Sequence, residues 1–219
     1  MLFIPVVQVL ALRFINPPVT AMMFFRGLDH LFAGESVRFS HTNLSWGEIP
    51  DNFIQAAVAG EDQRFYEHHG FDMSEIENAQ HEHQRHPNRP MRGASTISQQ
   101  VAKNLFLPPW HSFIRKGIEA YYTVLIEFFW SKQRIVQMYA NIVELAPNVY
   151  GVEAGAEYHF NKPANLLTAS ESAQLASVLP NPVRWSASNP SPYILRRSVR
   201  ILNQMRGIPA SIEEDGEPD

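Results

Sequence analysis

The sequence predicts a mainly α-helical protein, and three observations carry that expectation. Apolar residues recur three and four apart through most of the chain after Pro50, as at Ile114, Ile118, Tyr121, Tyr122, Leu125, Ile126 and Phe129. Ser, Thr or Asp stands ahead of several such stretches and Pro closes them, the chemistry of helix starts and stops. No internal repeat and no Gly-rich phosphate loop of the P-loop or dinucleotide kind interrupts the pattern. The 219 residues are 45% hydrophobic and 18% charged, enough apolar content to exclude disorder and to fill a real core. With no cysteine, a disulfide scaffold, a thiolate metal site and a cysteine nucleophile are all excluded.

The elements follow in order. Met1 to Leu12 is apolar except for Gln8, and Arg13, Asn16, Pro17 and Pro18 end the run. A spanning helix needs about 20 apolar residues, so two readings stand: the end of a transmembrane helix, or a short interfacial or core helix. A second apolar patch, Ala21 to Phe25, precedes Arg26 and suits either a lipid headgroup boundary or a buried helix start. Residues 13 to about 50 read as an irregular, partly strand-like lead-in. Asp51 is positioned to cap a helix through Phe53, Ile54, Ala57 and Val58, while Ala79 to Pro90, rich in His, Asn and Pro, reads as a loop. Ser95 or Thr96 caps a helix through Ile97, Val101 and Leu105 that Pro108-Pro109 stops. A long helix starts near Ser112 and breaks near Ser131 before continuing through Tyr139. Helices over 154–160, 168–179 and 192–205 follow, and then a tail holding Glu213, Glu214, Asp215, Glu217 and Asp219.

The charge is uneven. Lys and Arg number 18 against 22 Asp and Glu, a net −4, yet His81 to Lys116 carries Arg85, Arg89, Arg92, Lys103, Arg115 and Lys116 against Glu82 alone. That segment is either a solvated basic face or a surface meeting phosphate.

Three constellations carry chemistry. If Glu61-Asp62 continues as helix, Glu61, Phe65 and His68 share a face, and a carboxylate beside aromatic surface has a raised pKa suited to proton abstraction. The plainer reading is a helix end with a charged surface pair. Gly93 to Asn104 places Thr96, Gln99 and Lys103 along one face at a helix N-terminus, donors fitted to an anion or simply a capped surface helix. Arg115 and Glu119 are four apart, an ordinary intrahelical pair or, with Lys116, a diphosphate holder acting directly or through a divalent ion.

In this order and spacing the three resemble the glycosyltransferase domain shared by peptidoglycan polymerases, most of all the monofunctional biosynthetic transglycosylases. Glu61, Asp62, Phe65, His68, Gly70, Phe71 and Asp72 match the first motif of that family. Gly93, Ser95, Thr96, Ile97, Gln99, Gln100, Lys103 and Asn104 match its second, and Arg115, Lys116 and Glu119 its third. Lys132 to Asn141 resembles a fourth motif, and Tyr150 through Pro182 the C-terminal lobe. The chain departs from the family at His111, where an Arg is common, and at Gln137 and Ala140, commonly an acid and a Leu.

The resemblance implies a lysozyme-like helical glycosyltransferase domain with a small membrane-proximal jaw region. The implied division is an incomplete transmembrane anchor over 1–20, the jaw over 21–50, the catalytic domain over 51–207 and an acidic tail over 208–219. It implies polymerisation of lipid II into glycan strands with release of undecaprenyl diphosphate, on the periplasmic side of a bacterial inner membrane with a single-pass anchor. Glu61 is then the general base and Glu119 the residue assisting the leaving group. Ser95, Thr96, Gln99, Gln100, Lys103, Asn104, Arg115, Lys116, Asp62, Phe65 and His68 are expected to bind substrate. A divalent cation, Mg or Mn, is expected at Glu119, with no organic cofactor. Expected partners are lipid II, the nascent glycan, the membrane and other cell-division or cell-wall synthesis proteins, with no nucleic acid. The alternatives are a glycan-cleaving lysozyme-like enzyme and an inactive lipid II-binding protein. A hydrolase has no diphosphate to hold, which leaves Lys103, Arg115 and the Gln pair without a purpose.

Overall fold

A computed structural model describes residues 3–88, 93–110 and 112–209. Arg89, Arg92, His111 and the acidic residues from Glu213 onward lie outside the described residues. Among those described, the helices are α1 (Phe3–Leu12), α2 (Ala21–Phe32), α3 (Asp51–Glu61), α4 (Met73–Arg85), α5 (Ile97–Phe106), α6 (Phe113–Phe129), α7 (Lys132–Ile142), α8 (Val152–Phe160), α9 (Ala169–Val178) and α10 (Pro192–Met205). A small sheet joins β1 (Ser40–His41), β2 (Glu144–Ala146) and β3 (Val149–Tyr150) in the order β1-β3-β2, with β1 parallel and β2 antiparallel to β3. The mainly helical class is therefore observed.

Helix starts follow local side-chain chemistry. The hydroxyls of Ser112, Ser131, Thr168 and Ser191 accept from backbone N–H groups in the first turns of α6, α7, α9 and α10. Thr96, not Ser95, caps α5, and its partner Gln99 completes a capping box. Asp51 is the first residue of α3, with Pro50 at the cap position.

Two expectations are corrected. Residues 21–32 of the supposed irregular lead-in form α2, capped by Thr20 and resting on α5. Most of the supposed loop from Ala79 belongs to α4, which Asp72 caps and which buries only Ala79, so it offers no apolar stripe to read.

The helices form two groups. α3, α9 and α10 pack on one another, α5 packs on both α6 and α7, and α3 touches α7 where the groups meet. One core runs through both, with Phe53, Ile54, Ile97, Val101, Ile126, Ile135, Tyr139, Leu175 and Ile201 fully or almost fully buried. Val9, Leu44 and Ile49 belong to the same core, so it crosses the expected boundaries at residues 20 and 50. α1 lies along α6, where Tyr122 Oη donates to Gln8 Oε1 at 2.6 Å and Trp130 Nε1 donates to the Val9 carbonyl at 2.8 Å. Among the described residues no helix is long and apolar enough to cross a membrane.

Candidate active site

Glu61 is the last residue of α3, so its side chain emerges where the two helix groups meet. It is only 12% exposed. Arg197 of α10 donates to Oε1 at 3.0 Å, and Gln100 of α5 donates to Oε2 at 3.1 Å. Burial raises the pKa of the Glu61 carboxyl above the usual carboxylate range, with Arg197, Gln100 and Lys103 pulling against it and Asp62 adding to it. The helical face expected for Glu61, Phe65 and His68 does not exist, because α3 ends at Glu61 and the chain turns.

The turn is a support for that carboxylate. Asp62 is buried, and its Oδ1 accepts from His68 Nε2 while its Oδ2 accepts from the Ile97 backbone N–H, both at 2.9 Å. The second contact puts an acid on the N-terminal end of α5, where the helix dipole favours it. His68 Nδ1 accepts from the Gly70 N–H at 3.2 Å, so both ring nitrogens are engaged. Gly70 has φ +91°, and a Cβ there would lie 2.8 Å from Thr123 Cγ2; only glycine fits this turn against α6. Phe65 is fully buried with Lys132 Nζ 4.5 Å from its ring centroid. Thr96 Oγ1 donates to the Gly70 carbonyl at 2.7 Å and accepts from the Gln99 N–H, and Gln99 Oε1 accepts from the Thr96 N–H. Asp62, Phe65, His68, Thr96 and Gln99, expected to bind substrate, all stand in this turn and at the start of α5. Their contacts join the turn after α3 to the start of α5, and Asp62 and Thr96 also line the groove beside Glu61.

Along α5, Gln100, Lys103 and Asn104 stand three and four apart. Lys103 lies between Glu61 and the Glu119 cluster, feels both acids, and makes no hydrogen bond or ion pair with the described residues. Burial, the largest cause, lowers its pKa, and Glu119 and Glu61 raise it. Asn104 is buried beside it. On α6, Glu119 is buried at 3% exposure. Its Oε2 accepts from Arg115 Nη1 at 3.1 Å and its Oε1 from Lys116 Nζ at 2.5 Å, while Arg115 Nε is buried without a partner. One carboxylate therefore meets three cations, and the local surplus is positive.

This donor set does not fit the divalent cation expected at Glu119. Both carboxylate oxygens already face cations, and among the described residues no group of three His, Asp or Glu side chains could share such an ion. Magnesium is usually held through one or two carboxylates together with phosphates and waters, and here the one carboxylate is already engaged by ammonium and guanidinium donors.

A groove of about 650 Å³ opens beside Glu61. Gly93 and the exposed Ser95 form one wall, and Tyr193, Arg197, Arg200 and Gln204 of α10 form the other. Arg197 was not foreseen from the sequence. It lies 136 residues from Glu61 and belongs to no local motif; the only available signal was an Arg beside the buried stripe Ile194, Ser198, Ile201 and Met205.

Residues 30–206 match the family described as transglycosylase. The chain is 45% identical over 200 residues to a biosynthetic peptidoglycan transglycosylase of Pseudomonas aeruginosa, covering 91% of this chain and 85% of that protein. It is 43% identical over 204 residues to one from Bacteroides thetaiotaomicron, covering 93% and 82%. It is 47% identical over 201 residues to one from Pseudomonas syringae pv. syringae, covering 92% and 84%. A buried acid facing a cationic cluster, the transglycosylase match over most of the length and these relatives agree: the chain belongs to the transglycosylase family.

Proposed function

We propose that this chain is a peptidoglycan glycosyltransferase that polymerises lipid II, with Glu61 as the base and Lys103 and Arg115 receiving the diphosphate. One observation carries the reading: the Glu61 carboxyl, its pKa raised by burial, and the cationic cluster around Glu119 both act on the ammonium of Lys103, which makes no hydrogen bond or ion pair with the described residues. In that reading the acceptor hydroxyl oxygen attacks the anomeric carbon of the donor sugar and its proton passes to Glu61. The bond from that carbon to the diphosphate oxygen breaks, and the leaving oxygen keeps the electron pair. Negative charge then collects where Lys103, Arg115 and Lys116 converge, the arrangement that stabilises a departing anion. Glu119 holds Arg115 and Lys116 in place as an organiser of those donors. Fluorescent lipid II incubated with purified protein tests the reading. Long glycan strands support it; shortening of preformed glycan, or binding without turnover, overturns it in favour of cleavage or of a binding module.

Lys103→Ala is expected to lower polymerisation about 10²-fold, the loss of one charged contact to the leaving group, while the melting temperature moves by only a few degrees. Normal turnover with a large melting loss would make Lys103 a structural residue.

Because lipid II is membrane-borne, the same reading places the protein at the periplasmic face of a bacterial inner membrane. Exposed apolar side chains support a bilayer-facing surface: Phe3 and Ile4 on α1, Phe24 and Phe32 on α2, and Phe113 and Ile114 at the start of α6. α1 packs on α6, and Phe25 of α2 meets Trp110 just before α6 with ring centroids 5.1 Å apart, which brings these helices together. Replacing Phe113 and Ile114 with Asp is expected to reduce co-sedimentation with lipid vesicles severalfold and leave the melting temperature unchanged, since Phe113 is 98% exposed. Undiminished vesicle binding would place the contact surface elsewhere.

A further inference from the structure

The Glu61 carboxylate is held between elements distant in the chain. From α10, Arg197 Nη2 donates both to Glu61 Oε1 at 3.0 Å and to the Gly60 carbonyl at 3.1 Å. From α5, Gln100 Nε2 donates to Oε2 at 3.1 Å, and from α7 Tyr139 Oη donates to Gln100 Oε1 at 3.3 Å. The carboxylate demands a donor and the phenol supplies one, so the Gln100 amide has one consistent orientation. We propose that Arg197 is the positioning residue of the base: it ties the Glu61 carboxylate to α10 and aims it along the groove, with Gln100 and Tyr139 closing the clamp from the opposite side.

This deepens the polymerase reading and rests on it. Each carboxylate oxygen has two lone-pair directions, so the clamp occupies one on each and leaves one free for a proton. Arg suits the place because the planar guanidinium fixes the directions of the two Nη2 N–H bonds, one to the last-turn carbonyl and one to the side chain, which the freely rotating ammonium of a Lys does not. The charged and titratable groups facing Glu61 are Arg197 from α10, Lys103 from α5, Tyr139 from α7 and the neighbouring Asp62. Burial, the largest influence, and Asp62 drive the carboxyl towards its protonated form; Arg197 leads the opposition. Of the two cations, only Arg197 touches the carboxylate. Lys103 faces Glu119 as well, and is the group a diphosphate would engage.

The test is a pH–rate profile of lipid II polymerisation for wild type, Arg197→Gln, Arg197→Lys and Tyr139→Phe, with melting curves for each. The Glu61 carboxyl is titrated in parallel by 13C NMR, its signal assigned with Glu61→Gln. Removing the positive charge raises the Glu61 pKa, so in Arg197→Gln the acid limb and the NMR titration both move up by about one to two pH units. Arg197→Lys returns the limb towards wild type but leaves the plateau rate lowered about tenfold, because the fixed directions of the two donors are gone. Tyr139→Phe lowers the plateau severalfold without moving the limb. An unmoved NMR titration in folded Arg197→Gln, with only its melting temperature lowered, makes Arg197 a tie between α10 and α3 and overturns the inference. A wild type that does not polymerise while the NMR shift appears as expected overturns the functional reading but leaves Arg197 governing the ionisation of Glu61.

Discussion

Glu61→Gln is expected to cut lipid II polymerisation by about two to four orders of magnitude, the range lost with a positioned general base, while the protein still folds. The fold survives because the amide can be absorbed by the groups already there. Its carbonyl oxygen still accepts from Arg197. Its NH2 meets Gln100, which rotates its own amide to present oxygen, and the Tyr139 hydroxyl then accepts from the Gln100 NH2 instead of donating. The Tyr139 phenol then loses its acceptor and Arg197 loses its carboxylate, but the Arg197 side chain is 21% exposed, so the melting temperature is expected to fall by only a few degrees. What is lost is the proton-accepting capacity of the group on the wall of the groove. Strand synthesis followed by gel, alongside a melting curve, checks both halves. A well-folded Glu61→Gln protein polymerising at the wild-type rate would falsify the assignment of the base.

How far the site could be read from sequence depends on how local its chemistry is. The helix start near Ser112 and the break near Ser131 could be read because a cap acts within one turn. α4 stayed hidden because its signal is a single Asp72 cap followed by an almost wholly exposed helix, with His and Asn where apolar periodicity would be sought. The supporting contacts of Asp62 were out of reach for a related reason. Its partners are His68, six residues on, and the Ile97 N–H, thirty-five residues on, and no spacing rule separates a buried staple from a substrate contact. Arg197 shows the limit most plainly. Its contact with Glu61 exists only because α3 and α10 pack together, a consequence of their apolar stripes that says nothing about which polar side chain meets which. The residues legible early, Glu61, Lys103, Arg115 and Glu119, are those whose residue type already states the chemistry; the ones that aim them had to be found in space.

Asp62→Ala is the substitution expected to damage the fold most, by about 2–5 kcal/mol for two buried donors left without an acceptor. The buried carboxylate is the shared acceptor of two donors, His68 Nε2 and the Ile97 N–H, and Ala strands both. His68 has no easy escape. Its Nδ1 already accepts from the Gly70 N–H, which fixes the proton on Nε2 and aims it at Asp62. The damage then spreads along the turn, because the Gly70 carbonyl is what Thr96 Oγ1 donates to, and Thr96 is the cap of α5. For a chain of this length such a loss corresponds to a fall in melting temperature of roughly 10 °C. Activity is expected to fall with it even below the transition, since α5 carries Gln100 and Lys103 and its first turn is no longer fixed to the end of α3. Asp62→Asn should fall between the two proteins. An amide that accepts from Ile97 turns its NH2 towards His68, and the ring can accept that only by moving its proton to Nδ1, against the Gly70 N–H. Thermal melts of the two variants therefore rank Ala below Asn below wild type. If Asp62→Ala instead melts with the wild type and yet fails to make glycan, the acid is no staple, and it returns to the substrate contacts that the motif had suggested.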